Sequence, residues 1–272
     1  LNKSIYFIHN PTDQYSIDIS LYRLKFNEHF FIQLLMALKK YHIKKNDGIS
    51  FPKRGENLKN IYESLNFELT NAQIRVLREI RTDLKSKTPM NRLIQGDVGS
   101  GKTIVAILTA AIVIAKEYQV ALMAPTEILA RQHFLLAKKI FPTNIKIKLL
   151  SGKSTYKEKK IILDGLSKKE IDIIFGTHAL FQKKVKFDKL GLIIIDEQHK
   201  FGVSQRKKLS DKAGKDCDVL LMTATPIPRT LTMTIFGDMD LSIIREKPNI
   251  RKPVKTYSKL ESKIDDVIKF VK

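Results

Sequence analysis

The sequence predicts an α/β fold: a parallel sheet between helices, preceded by a mainly helical segment. Two patterns carry that expectation. Past residue 91, short runs rich in Ile, Val and Leu alternate with helical stretches, at residues 92–95, 120–124, 145–150, 171–176, 192–196 and 219–223. Near-continuous apolar strands separated by helices mark a parallel sheet covered on both faces. Before residue 91 the periodicity is helical and strand candidates are few. At 272 residues the chain is long enough for one large domain or two small ones with a self-sufficient core.

Taken in order, Leu21, Leu24, Phe31, Leu35 and Leu38 recur at three-, four- and seven-residue intervals. This spacing predicts an amphipathic helix over residues 20–44 whose apolar stripe packs on the rest of the protein. Asp47-Gly48 and Phe51-Pro52 are turn signals in the connection that follows. Thr70 has the chemistry of an N-cap ahead of a run through Ile74, Leu77 and Ile80, so a second helix begins near Asn71. The single Cys217 forms no internal disulfide and is read as structural, and the six His show no paired ligand spacing. Both point to a reducing compartment and no structural metal. Lys and Arg number 49 against 28 Asp and Glu, a net charge of +21. That balance favours a polyanionic partner, nucleic acid before a membrane surface. No apolar run reaches the roughly 18 residues that span a bilayer, and residues 1–10 lack the layout of a secretory signal. The expected location is cytoplasmic. Leu1 in place of Met predicts a piece of a longer chain.

The chemistry starts at Gly96-Asp97-Val98-Gly99-Ser100-Gly101-Lys102-Thr103, which fits G-x-x-x-x-G-K-[ST]. It stands between an apolar strand and a helix expected over residues 104–115, the context that a phosphate-binding loop requires. Gly96, Gly99 and Gly101 let backbone N–H groups, with Ser100 among them, curl around a phosphate. The helix N-terminus adds partial positive charge, and Lys102 offers an ammonium to the β and γ oxygens. The Thr103 hydroxyl is a candidate Mg²⁺ ligand. Such a loop needs a carboxylate at the end of a neighbouring strand, and Leu192-Ile193-Ile194-Ile195-Asp196-Glu197 provides it. Asp196 emerges at the C-terminal edge, where open parallel sheets bind ligands, and Glu197 is suited to orient an attacking water. Alone, two acids after an apolar run are ordinary; beside the glycine loop they point to ATP with Mg²⁺.

These residues resemble superfamily 2 helicases. Asp196-Glu197-Gln198-His199 is a DExH-type box, and MTATPIPRTL at residues 222–231 resembles motif III. Together with GDVGSGKT and DEQHKFGV, it resembles the RecG family of bacterial branched-DNA helicases. The Leu24-Lys25-Phe26-Asn27-Glu28 helix and Phe67-Glu68-Leu69-Thr70-Asn71-Ala72-Gln73 extend the likeness over nearly the whole chain. The resemblance implies a RecA-like phosphate-loop NTPase lobe in which Gln73 reads adenine, since a carboxamide both donates and accepts. A surface Gln is the alternative. It implies motif Ia at residues 124–132 and motif Ib at 176–180, with Pro125, Thr126, Arg131, Gly176, Thr177 and His178 lining a DNA edge that binds phosphates without reading bases. Ordinary helix capping is the other role open to the Thr and Pro residues. By the same resemblance His199 links the γ-phosphate site to motif III, and Thr223, Ala224 and Thr225 couple nucleotide to DNA. Lys200 departs from the Arg that is common there.

The likeness also implies three segments: a helical linker at residues 1–66 after a wedge domain, the first RecA-like ATP-binding lobe at 67–245, and the start of a connection to a second lobe at 246–272. Residues 251–257 resemble the strand entering that lobe. No Q-x-x-G-R-x-x-R-like motif follows, so the arginine that completes the site is expected from the second lobe. Forked or branched DNA is the implied partner, with no membrane. The lysines at 138–160 and 183–189 suit either solvated faces or DNA contact. Two other readings stay open. The motor of the transcription-repair coupling factor shares GDVG-GKT and TATPIPRTL, but its box usually reads DEEQRFG, unlike Gln198-His199. A non-catalytic nucleic-acid-binding module is the other, and intact Lys102, Thr103, Asp196 and Glu197 argue against it.

Overall fold

The computed structural model describes residues 1–45, 47–52, 56–152, 154–197, 216–225, 237–246 and 256–271. Gln198, His199, Lys200, residues 226–231 of the motif III string and residues 251–255 lie outside the described residues.

Strands β1 (Asn91–Gly96), β2 (Gln119–Met123), β3 (Ile147–Leu150), β4 (Ile173–Gly176), β5 (Leu190–Asp196), β6 (Asp218–Thr223) and β7 (Asp240–Ile244) form one sheet in the order β3-β4-β2-β5-β6-β1-β7. Every pairing is parallel. The expected strands are all present, and β7 is an addition. It lies at the sheet edge with only Ser242 and Ile244 buried, so it lacks the continuous apolar run that betrays a central parallel strand.

Period-two alternation sends Ile94, Leu122, Ile194 and Leu220 to one face of the sheet and Leu93, Ala121, Ile193 and Leu221 to the other. The first face is covered by α4 (Asn71–Lys85), α5 (Lys102–Ile114) and the end of α6 (Glu127–Ile140). On α5, every residue from Ile104 to Ile114 is buried, because α3 (Glu56–Glu63) and α4 close its outer side. Phe51 and Ile61, which precede residue 67, are buried in this same core. The second face is covered by α7 (Tyr156–Ser167) through Ile162 and Leu166. Helix α4 begins where expected: Thr70 Oγ1 accepts from Gln73 N, and Gln73 Oε1 accepts from Thr70 N, a reciprocal capping box.

The N-terminal segment corrects one expectation. After α1 (Asn2–His9), helix α2 (Gln14–Lys44) starts six residues early, at the Asp13 cap. Leu21, Phe31, Leu35 and Leu38, expected to pack on the rest of the protein, are exposed, and Ser20 is the buried residue of the helix. The half-buried positions are Ser16, Ile17, Leu24, Asn27, Ile32, Met36, Lys40 and Ile43, so of the expected stripe Leu24 alone turns inward. Lys40 ties the helix to the start of β7 through Asp240, at 2.6 Å. A short helix, α8 (Ile264–Val271), lies near the end of the chain. No helix among the described residues is long and apolar enough to cross a membrane.

Candidate functional site

Because all strands run the same way, the loops that leave their C-terminal ends share one edge. Following the sheet order, that edge carries Thr177 after β4, Ala124 to Thr126 after β2, Glu197 after β5, Ala224 and Thr225 after β6, and the glycine loop after β1. The motif Ia and Ib loops are therefore neighbours, and Ala124 N donates to Gly176 O at 2.9 Å. The acids, the motif III turn and the glycine loop continue the row.

In the glycine loop, Gly99 and Gly101 adopt φ of +82° and +84°, left-handed values that favour residues without Cβ. A Cβ on Gly101 would also overlap Gln73 Nε2. Gln73 is buried against the loop, its Nε2 donating to Ser100 O at 2.8 Å. Its carboxamide thus joins the cap of α4 to the phosphate loop. Lys102 is buried too, and its ammonium donates to Gly96 O at 2.6 Å and Asp97 O at 3.0 Å. Burial lowers its pKa from the ordinary 10.5, against the pull of Asp196, Glu197 and Asp97. Neutral carbonyls hold this ammonium, so an anionic phosphate competes well for it. Among the described residues Ser100 Oγ is buried without a hydrogen-bond partner, an unsatisfied polar atom inside the cradle that a phosphate oxygen would fit.

Asp196 ends β5 with its carboxylate buried. Its Oδ1 accepts from Glu197 N at 3.0 Å, and its Oδ2 pairs with His133 Nε2 at 2.8 Å. Each oxygen retains accepting capacity. Glu197 turns away at φ +51°, and its Oε1 accepts from Ala224 N at 3.2 Å. Thr225 N donates to Thr223 Oγ1 at 3.2 Å, and the two hydroxyl oxygens are 2.9 Å apart. The acid box therefore reaches motif III directly through Glu197. Among the described residues no group of three or more His, Cys, Asp or Glu could hold a metal ion. Mg²⁺ is commonly held by one or two carboxylates plus substrate phosphates and water. Asp196 with the Thr103 hydroxyl fits that donor set.

On the other half of the edge, Thr126 caps α6, its Oγ1 accepting from Leu129 N at 3.3 Å. Arg131 and His178 are exposed, whereas Pro125 and Thr177 are half-buried and Gly176 is buried. Thr177 caps the 3₁₀ turn His178–Phe181 without a side-chain bond. One residue at this site escaped sequence reasoning: His133, which touches Asp196. Its signal was positional. Ala130, His133 and Ala137 form the buried face of α6, and an imidazole on a stripe of alanines needs a polar partner.

A family model described as DEAD/DEAH box helicase matches residues 70–234. The ATP-dependent DNA helicase RecG of Streptococcus pneumoniae is 51% identical over 238 residues, covering 87% of this chain and 35% of the relative. That of Bacillus subtilis is 47% identical over 266 residues, covering 97% of this chain and 39% of the relative. The chain thus spans less than two-fifths of either relative. A solved structure of RecG bound to a three-way DNA junction superposes with a TM-score of 0.85 at 41% identity, over 98% of this chain and 36% of that one. The fold is the RecA-like helicase fold with an N-terminal helical segment. The family match runs from the cap of the helix that carries Gln73 past the motif III turn, more than half of the chain, and on it the chain belongs to the DEAD/DEAH box helicase family.

Proposed function

We propose that this chain is the first motor lobe of a RecG-type, ATP-dependent DNA helicase that remodels forked or branched DNA in the cytoplasm. One observation supports this above the others: a single sheet edge carries phosphate-loop, metal-acid and motif III elements beside two loops suited to DNA phosphates. The likeness to a RecG bound to a three-way junction supports the choice of substrate. Membership of a helicase family implies ATP use.

In this reading Gly96, Gly99, Ser100, Gly101 and Lys102 hold the phosphates and Gln73 meets adenine while bracing the loop. Thr103 and Asp196 hold Mg²⁺, which when bound neutralises charge on the β and γ oxygens. Glu197 orients the attacking water, and its bond to Ala224 passes the state of the site to Thr223 and Thr225. His199 belongs to the same relay. Pro125, Thr126, Arg131, Gly176, Thr177 and His178 line the DNA backbone. Residues 1–66 act as a linker from a wedge domain, 67–245 as the lobe, and 246–272 as the start of the connection to a second lobe.

The test follows from the division of labour. Phosphate and metal contacts need only this lobe, so the chain should bind Mg·ATP in a titration. Turnover should stay low with or without DNA, because a transition-state arginine, worth about 10³ to 10⁵ in rate, comes from the second lobe. That factor corresponds to roughly 4 to 7 kcal/mol of barrier. DNA-stimulated turnover near ~1 s⁻¹ or above, the low end of typical enzyme rates, would refute the one-lobe assignment.

A further inference from the structure

The sheet order places β2, which leads to the motif Ia loop, directly beside β5, which leads to Asp196. The two halves of the edge meet there, and one side chain crosses the join. His133 projects from α6, the helix after β2, to Asp196 at the end of β5. We propose that His133 is a positioning residue: it sets the orientation of Asp196 according to where α6 sits, and so links DNA contact on the outside of α6 to the metal side of the nucleotide site. This deepens the proposed function and rests on it.

The geometry is specific. Asp196 Oδ1 is held by the N–H of the next residue and moves with its own loop. Among the described residues, the bond from Oδ2 to His133 is the hydrogen bond by which Asp196 reaches another element, at 2.8 Å with both side chains buried. Arg131 precedes His133 by two residues, about 200° around a helix, so one rigid turn shows Arg131 to solvent and His133 to the acid. The same helix is capped by Thr126, two residues after Ala124, whose N–H donates to Gly176 O. A phosphate that draws Arg131 or Thr126 outward thereby shifts the imidazole, and a carboxylate whose Oδ1 is pinned responds by turning about that bond.

The test measures coupling rather than turnover, in the complete protein. The affinity of a fluorescein-labelled forked DNA is titrated with and without saturating Mg·AMPPNP, and the ratio is the coupling factor, reciprocal by linkage and commonly 5- to 150-fold. His133→Leu keeps apolar volume but loses the donor. His133→Asn keeps polarity but is too short to reach, and replaces the Leu variant should that one not fold. His133→Gln retains an N–H of suitable reach. In the Leu and Asn variants, which lose the bond to Asp196, the factor should fall to within about twofold of unity while each ligand alone still binds, and His133→Gln should restore most of it. Wild-type coupling in His133→Leu or His133→Asn, or a Gln variant as uncoupled as they are, overturns the proposal. A wild-type protein that binds neither ligand overturns the helicase-lobe reading itself, and this inference with it.

Discussion

Asp196 ends β5, Asp218 begins the adjacent β6, and both are almost wholly buried, at 7% and 1% exposure. Leu192 stands opposite Asp218, so four residues of strand, about 13 Å, separate the two carboxylates. They face opposite edges of one sheet. Asp196 has an imidazole, a backbone N–H and the nearby Lys102 ammonium. Among the described residues Asp218 has one donor, Met90 N at 2.6 Å on Oδ1, and its Oδ2 has no partner. Burial pushes its pKa up to about 8, the Met90 bond opposes that, and the charge of Asp83 adds to it. Neighbouring Cys217 is raised for the same first reason. Burial alone therefore does not make a carboxylate useful. On the edge where the glycine loop opens α5, a buried acid meets donors and a cation; on the edge where β6 begins, the same residue type is pushed towards its neutral form.

The largest effect expected from this contrast is at the supplied edge. Lys102→Ala should weaken Mg·ATP binding by about a thousandfold or more, roughly 4 kcal/mol, measured by nucleotide titration. Glu197→Gln should leave binding within a few-fold. Equal losses in the two variants would break the distinction between a phosphate contact and a water-orienting group.

Next in size is Asp218→Asn, at the unsupplied edge. The folded pKa of about 8 exceeds the ordinary 3.8, so the stability associated with Asp218 is complete below about pH 4 and lost as pH rises through 8. At 1.36 kcal/mol per unit, the penalty reaches about 5 kcal/mol at the upper end. An amide keeps the Met90 contact and cannot ionise, yet its NH₂ still lacks a partner, so the net gain at pH 8 should be about 2 to 4 kcal/mol. Urea unfolding at pH 4 and pH 8 checks it: near-equal stability at the lower pH and a clear gain at the higher. A variant no more stable at pH 8 would show that Asp218 finds a partner there.

How much of this was readable beforehand follows the same physics. The glycine loop and the Asp196-Glu197 pair were legible because phosphate and metal chemistry restrict residue types over a few consecutive positions. The five central strands were legible because burial on both faces favours apolar runs, and β3, at the opposite edge from β7, showed through the apolar residues of its 145–150 run although Lys148 is exposed. β7 was not, since an edge strand tolerates Asp240 and Ser242. The packing of α2 was misjudged because periodicity shows which face is apolar but not what lies against it. His133 was invisible to motif reading: its partner is 63 residues away in sequence, brought near only by the order β2-β5. The Glu197 to Ala224 bond, 27 residues apart, was hidden for the same reason.

A smaller effect tests how far the cationic character of the supplied edge extends. Arg131→Ala should weaken DNA binding a few-fold, by about 1 kcal/mol, alike for all sequences, because phosphate contacts carry no base information. Each lost contact should reduce the log–log salt slope by about 0.9 on duplex and 0.7 on single-stranded DNA. Weakening confined to some sequences would mean that α6 reads bases.

The smallest effect concerns a third acid at a strand end. Asp240 begins β7, on the same edge as Asp218, but it has a cation: Lys40 Nζ lies 2.6 Å away. Partial burial works against its charged form, yet the Lys40 hydrogen bond and charge, with Arg92 and Lys44 behind them, hold its pKa below the ordinary 3.8. The sign is opposite to that of Asp218. The folded pKa lies under the unfolded one, so the pair's contribution is present above about pH 4 and lost as pH falls through the folded value. With side chains 31% and 42% exposed, the pair is worth under about 1 kcal/mol, and less at high salt. Lys40→Ala should cost that much at pH 7 in dilute buffer and nothing measurable at about pH 2. The same loss at both pH values would mean that the Lys40 stem, not its charge, packs on β7. A loss above about 2 kcal/mol at pH 7 would exceed what an exposed pair provides, and would make this contact the hinge on which all of α2, with its exposed Phe31 and Leu35, is held to the sheet.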